Sequence, residues 1–348
     1  MDIGIDSFVS TVTDPDTGQI VSPGQRMANL LEEVEQADKA GLDTFGVGEH
    51  HRAEFLDSAP SMILAAAAAR TERIRLNSAV TVLSATDPVR VFQQFATLDL
   101  ISGGRAELVV GRGSFTEAFP LFGLKLEDYD SLFAENLDLL LKIRENPVVT
   151  WSGKHRASLS GQGVYPRPLQ DQLPIWLGVG GSPESFVRAG ALGLPLMVAI
   201  IGGEPRRFRP LVDLYREAAR RSGFKPEDLK VSIHAPGLVA ETTDDAARLF
   251  WPGYEQMFGR IGRERGFPPP TLASYDAQRG PTGALFLGDP QTVAEKIVRM
   301  SEDLGGIDRV TLQMTNERLA HGQMLDSIDL LGQVKPLVDA ALAPATTS

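Results

Sequence analysis

Apolar and polar positions alternate in blocks from one end of the chain to the other. Ile3-Gly4-Ile5 opens as a short strand. A loop rich in Asp, Thr, Pro and Gly follows, and then Met27, Leu30, Leu31, Val34 and Ala37 repeat at helical spacing. Ser22-Pro23-Gly24-Gln25 predicts a capping box with proline at the first helical position, and Gly41 predicts the helix end. Strands are predicted at Thr44–Val47, Ile74–Leu83, Ala106–Val110, Pro174–Val179, Leu194–Ile200, Lys230–Val239 and Arg309–Met314. Helical segments lie between them, with Asp87-Pro88 and Asp289-Pro290 as caps and a closing helix over 323–342. The last six residues are expected to fray.

The strands read as runs apolar throughout, the pattern of parallel strands buried on both faces. About eight strand-helix units in 348 residues predict a single (β/α)8 TIM barrel, an α/β fold, as one domain over 1–348. Residues 146–173 and 266–283, rich in Gly, Pro and Ser, break the alternation and are expected as irregular insertions. A doubly wound open sheet is the alternative, weakened because no Gly-x-Gly-x-x-Gly follows the first strand.

Composition narrows the classes. A net charge of −11 disfavours nucleic-acid and anionic-membrane partners. The absence of cysteine removes disulfides, thiolate nucleophiles and thiolate metal sites, and fits a cytoplasmic protein. The start of the chain has no basic or long apolar segment, so no signal peptide is expected, and no apolar run is long enough to span a bilayer.

Chemistry is expected at strand ends. Gly48-Glu49-His50-His51 follows the second strand and holds two of the five histidines. A strand end fixes a side chain while leaving its tip in the pocket, and an imidazole suits proton transfer near neutrality. The alternative for both is a loop histidine bonded to backbone. Adjacent histidines without a second ligand cluster make a poor zinc site, so no metal is expected. Gly180-Gly181-Ser182-Pro183-Glu184-Ser185 joins a strand to a helix N-terminus, where free N–H groups and the dipole favour an anion. An ordinary Ser cap before Pro explains the same letters. Arg112, between Gly111 and Gly113, can reach a phosphate or pair with a carboxylate. Phe115, Phe119 and Phe122 are read as loop core, and Glu32, Glu33 and Glu35 as a solvated helix face.

In their order and spacing these motifs resemble the bacterial luciferase-like superfamily of flavin-dependent monooxygenases. Gly48-Glu49-His50-His51, Ser78 to Leu83 with Asp87-Pro88-Val89-Arg90, Gly111-Arg112-Gly113, and Gly181-Ser182-Pro183 followed by Gly193-Leu194-Pro195-Leu196 carry the resemblance. It implies FMN bound at the C-terminal face of the barrel. His50 would be the catalytic histidine, and Arg112, Gly180, Gly181, Ser182 and Ser185 the phosphate contacts. Ala79 and Val80 would lie behind the flavin ring at a non-proline cis peptide. The implied reaction uses reduced FMN from a separate flavin reductase, and O2, to oxidise a small, mainly apolar substrate. The same resemblance implies a homodimer. The family's luciferase has a reactive cysteine where this chain has Gly111 and an aspartate near Ala118, which argues against light emission; Glu117 could replace that carboxylate in part. A deazaflavin-dependent hydride-transfer enzyme, a non-catalytic flavin-binding protein and a metal-dependent hydrolase remain as alternatives.

Overall fold

A computed structural model describes residues 1–343. All but the first residue of the tail expected to fray lie outside them. Eight parallel strands close into a barrel: β1 (Asp2–Ser7), β2 (Thr44–Val47), β3 (Arg75–Ser78), β4 (Ala106–Gly111), β5 (Ile175–Val179), β6 (Leu196–Ala199), β7 (Val231–Val239) and β8 (Arg309–Gln313). Each pairs with its sequence neighbour, and β8 pairs back onto β1. The chain is a (β/α)8 barrel with helices outside.

The strands are buried on both faces, but they are not apolar throughout. Ile3, Ile5, Phe45, Val47, Leu108, Val110, Val310 and Leu312 belong to the core between strands and helices. The residues between them turn into the barrel, where Asp6 meets His234, Asn77 meets Thr44, and Glu107 reaches across to Arg309. Period two therefore persists along the strands. It was masked because many inward residues are Gly or Ala, which read as apolar. The interior also holds a small apolar cluster of Val109, Trp176 and Met197, against which Val80 packs.

Turn chemistry sets the helix starts. Asp87 accepts from the N–H groups of Val89 and Arg90, and Asp289 from that of Thr292. Ser22 caps Pro23–Lys39 through the Gln25 N–H, but the Gln25 side chain bonds Asn29, so the expected box is half formed. Glu33 is not solvated: it is 5% exposed and paired with the equally buried Arg26 at 2.8 Å. The expected irregular stretches both contain structure. An antiparallel hairpin, Val148–Trp151 with Leu159–Gly163, lies in the first, and the helix Leu272–Arg279 in the second. That helix begins with a Thr271/Ser274 capping box just beyond the three prolines.

Candidate active site

β1, β2 and β3 all end at one mouth of the barrel, and the loops that leave them build the site. His50 is 9% exposed, and its Nδ1 is 2.8 Å from Asp57 Oδ2. Asp57 is fully buried in the same loop. Burial pushes its carboxyl above the usual range, with the His50 bond pulling the other way. An acceptor on Nδ1 orients the ring, and Nε2 has no protein partner among the described residues. Phe8, Phe55 and Phe115 surround the imidazole at centroid distances of 4.7, 4.4 and 5.5 Å.

Phe8 is held by an unusual backbone. Val9, the next residue, is buried at φ 47°, a conformation that costs a β-branched residue about 1–3 kcal/mol. The Phe8 N–H donates to Thr315 Oγ1, and the Leu56 N–H to the Val9 carbonyl, so β1 and two loops lock the turn.

The expected set around residue 80 is assembled more tightly than the sequence implied. The Ala79–Val80 peptide bond is cis, and it separates β3 from the short strand Thr81–Val82. Val80 projects between Gly111 and Gly178, forming a floor at the barrel mouth. Glu49 secures the segment: its carboxylate accepts from the Val82 N–H at 2.9 Å and meets His51 Nε2 at 3.2 Å. His51 thus serves Glu49, not the pocket around His50.

Arg112, Ser182 and Ser185 converge. Arg112 Nη2 is 3.3 Å from Ser182 Oγ and 3.4 Å from Ser185 Oγ, and the two hydroxyls are 2.8 Å apart. Ser182 holds the N-cap position of Pro183–Ala191 with proline in the first turn, but its side chain makes no capping bond and turns to Arg112 and Ser185 instead. A Cβ on Gly180 or Gly181 would meet no protein atom within 4 Å, which leaves the space beside the helix N-terminus open. Of the two expected roles of Arg112, the carboxylate pair is present: Nη1 lies 2.7 Å from the exposed Asp130. A cavity of about 300 Å³ lined by Gly113, Phe115, Thr116, Tyr129 and Asp130 opens beside it.

The three phenylalanines part company. Phe119 is core, Phe122 is exposed against His51, and Phe115 joins the site. Arg52 lies over Phe115 at 4.6 Å and bonds Glu54, Glu117 and Glu264, tying the β2 loop to the β4 loop and to the helix Thr243–Arg265. Glu117 is therefore engaged by Arg52. Asp57, Phe8, Arg52 and His234 were missed from sequence. A signal existed for His234, a histidine in an otherwise weakly polar strand; Phe8 and Asp57 carried none, because their role depends on loop folding. Among the described residues no group of three or more His, Asp or Glu is placed to hold a metal.

A sequence profile described as luciferase-like monooxygenase matches residues 3–306. The chain belongs to this family. A 4-hydroxyprotoasukamycin monooxygenase of Streptomyces nodosus subsp. asukaensis is 33% identical over 300 residues, 82% of this chain and 75% of that one. Two uncharacterised relatives from Sinorhizobium fredii are matched over only 64% and 47% of their lengths. The oxygenating constituent of 3,6-diketocamphane monooxygenase of Pseudomonas putida, solved with FMN, superposes with a TM-score of 0.78 at 20% identity, covering 97% of this chain and 98% of that one. An F420-dependent secondary alcohol dehydrogenase, solved with an F420-acetone adduct, superposes at 0.75 and 20% identity with the same coverage. The fold is common to both kinds of enzyme.

Proposed function

We propose that this protein is a cytoplasmic flavin-dependent monooxygenase, one domain over 1–348, which oxidises a small, mainly apolar organic substrate. Reduced FMN would come from a separate flavin reductase. The observation that carries this is the convergence of Arg112, Ser182 and Ser185 at the N-terminus of a nine-residue helix, beside two open glycines. Hydroxyl and guanidinium donors at a helix N-terminus fit a phosphate.

In this reading Gly180 and Gly181 let the phosphate approach the backbone, and Ala79 and Val80 support the flavin ring. When bound, the reduced flavin supplies the electrons that activate O2. Asp57 holds His50 by Nδ1, so that Nε2 accepts or returns a proton at the ring edge. Phe8, Phe55 and Phe115 keep water from that edge. The likeness to the F420-dependent dehydrogenase keeps hydride transfer with a deazaflavin as a second reading. Exposed Met62, Leu100, Ile101, Tyr165 and Leu169 supply apolar area for a homodimer. No helix of the described residues is long and apolar enough to cross a membrane.

Titration with oxidised and reduced FMN, with the deazaflavin in parallel, tests the cofactor. Saturable FMN binding and substrate-dependent O2 consumption support the proposal. Tight binding of the deazaflavin alone moves the chain to hydride transfer, and binding without any turnover makes it a flavin carrier.

A further inference from the structure

His234 stands on β7, far along the chain from His50, yet both rings contact Phe8. Phe8 lies 4.7 Å from His50 and 5.8 Å from His234, the latter nearly parallel at 21°. His234 Nδ1 is 2.6 Å from Asp6 Oδ2, and the Thr311 hydroxyl donates to the same oxygen. Asp6 and Thr311 are fully buried, and His234 is nearly so.

A carboxylate that already accepts from a hydroxyl holds the imidazole with its proton on Nδ1, which leaves a lone pair on Nε2. Nε2 has no protein partner among the described residues. Unlike Asp6 Oδ1 and Gln313 Nε2, it is not among the orphaned polar atoms sealed from solvent. Two imidazoles, each backed by a buried carboxylate, therefore flank one aromatic ring at the barrel mouth. Burying Asp6, His234 and Thr311 there costs stability that apolar residues would not cost.

We propose that His234 is a second ring-nitrogen acceptor of the reaction site. The substrate it fits presents a hydroxyl donor on an apolar, ring-shaped body, with the hydroxyl toward Nε2 and the ring against Phe8. The inference rests on the barrel mouth being the reaction site, and not on which flavin it takes.

The test uses the full chain with ¹⁵N-labelled histidine, each of its five histidines assigned by the signal lost in a single variant. His234 is expected to carry its proton on Nδ1. Phenol should shift the His234 Nε2 resonance, whereas anisole, the same ring without the O–H, should not. His234→Phe keeps a ring against Phe8 and removes the acceptor, and should weaken phenol binding about tenfold. Asp6→Asn places an amide donor against Nδ1, moves the proton to Nε2, and should reverse the preference toward acetophenone, a carbonyl acceptor. A wild-type proton on Nε2, no phenol response, equal responses to phenol and anisole, or unchanged phenol binding in His234→Phe overturns the proposal. The tautomer and phenol arms need no cofactor. Loss of FMN binding with intact phenol selectivity would sink the flavin assignment and leave this one standing.

Discussion

Val80 fills the space that a side chain at residue 111 would need. A Cβ on Gly111 would lie 2.7 Å from Val80 Cγ2, and one on Gly178 would lie 2.7 Å from Val80 Cγ1. One valine thus presses on two neighbouring strands, and a side chain at residue 111 or 178 would force it to shift. Gly111→Ala is expected to destabilise the fold by about 1–3 kcal/mol through overpacking. Adding Val80→Ala should recover most of that loss. Denaturant unfolding of the two single variants and the double variant checks the coupling, and strict additivity would rule the contact out.

Arg112 divides its guanidinium between the two serines and Asp130, which is largely exposed. Arg112→Ala removes a charged donor from the anion site and should weaken FMN binding about tenfold or more. Asp130→Asn removes only a competing partner and should leave affinity equal or improved. Fluorescence titration at low salt separates the two, and equal affinity in Arg112→Ala would discard the phosphate role.

The barrel was legible because its outward strand faces and helix faces obey local periodicity, and because Asp87, Asp289 and the Pro residues after them mark helix starts. The inward face was not legible. Gly4, Gly46, Gly111 and Gly178 are small for packing reasons that only the closed barrel supplies. At the site, His50, Arg112 and the Gly180–Ser185 segment could be found because each sits at a strand end. Their helpers could not: Asp57 depends on the path of its loop, Phe8 on the left-handed Val9, and the Asp6–His234 pair on β1 and β7 both flanking β8. Glu33 looked solvated because its partner, Arg26, lies two helical turns away on the same helix, beyond the usual spacing of surface pairs.

Asp57 gives the site a pH signature. Burial raises its carboxyl above the ordinary 3.8. The folded chain therefore binds this proton more tightly than the unfolded chain, and stability falls as pH rises from 3.8 through the raised folded value. Asp57→Asn abolishes that titration, so its stability relative to the native chain should improve across the same window. Turnover should fall about 10²-fold, because His50 loses the acceptor that sets its tautomer. Thermal melts between about pH 3 and pH 6, with turnover at neutral pH, read both effects. An unchanged pH profile of stability would mean that Asp57 does not titrate in this way.

At the other end of the barrel, Arg309 and Glu107 form a plug whose loss should affect stability and spare the site. Both are buried and bonded at 2.6 Å, with Arg75 and Asp2 as further partners and Trp176 stacked 4.6 Å from the guanidinium. Burial pushes the Glu107 carboxyl up, but Arg309 and Arg75 prevail and hold it below the ordinary 4.5. Its contribution is thus present above 4.5 and is lost as pH falls through the folded value. Glu107→Gln leaves the buried guanidinium with only the half-exposed Asp2 as a charged partner and should cost about 3–5 kcal/mol, whereas Glu107→Leu with Arg309→Met removes both charges and should cost less. Activity-supporting chemistry in such barrels sits at the C-terminal face, so the folded fraction of either variant should bind FMN as the native chain does. A loss of affinity in proportion greater than the loss of folded protein would show that the plug also shapes the mouth.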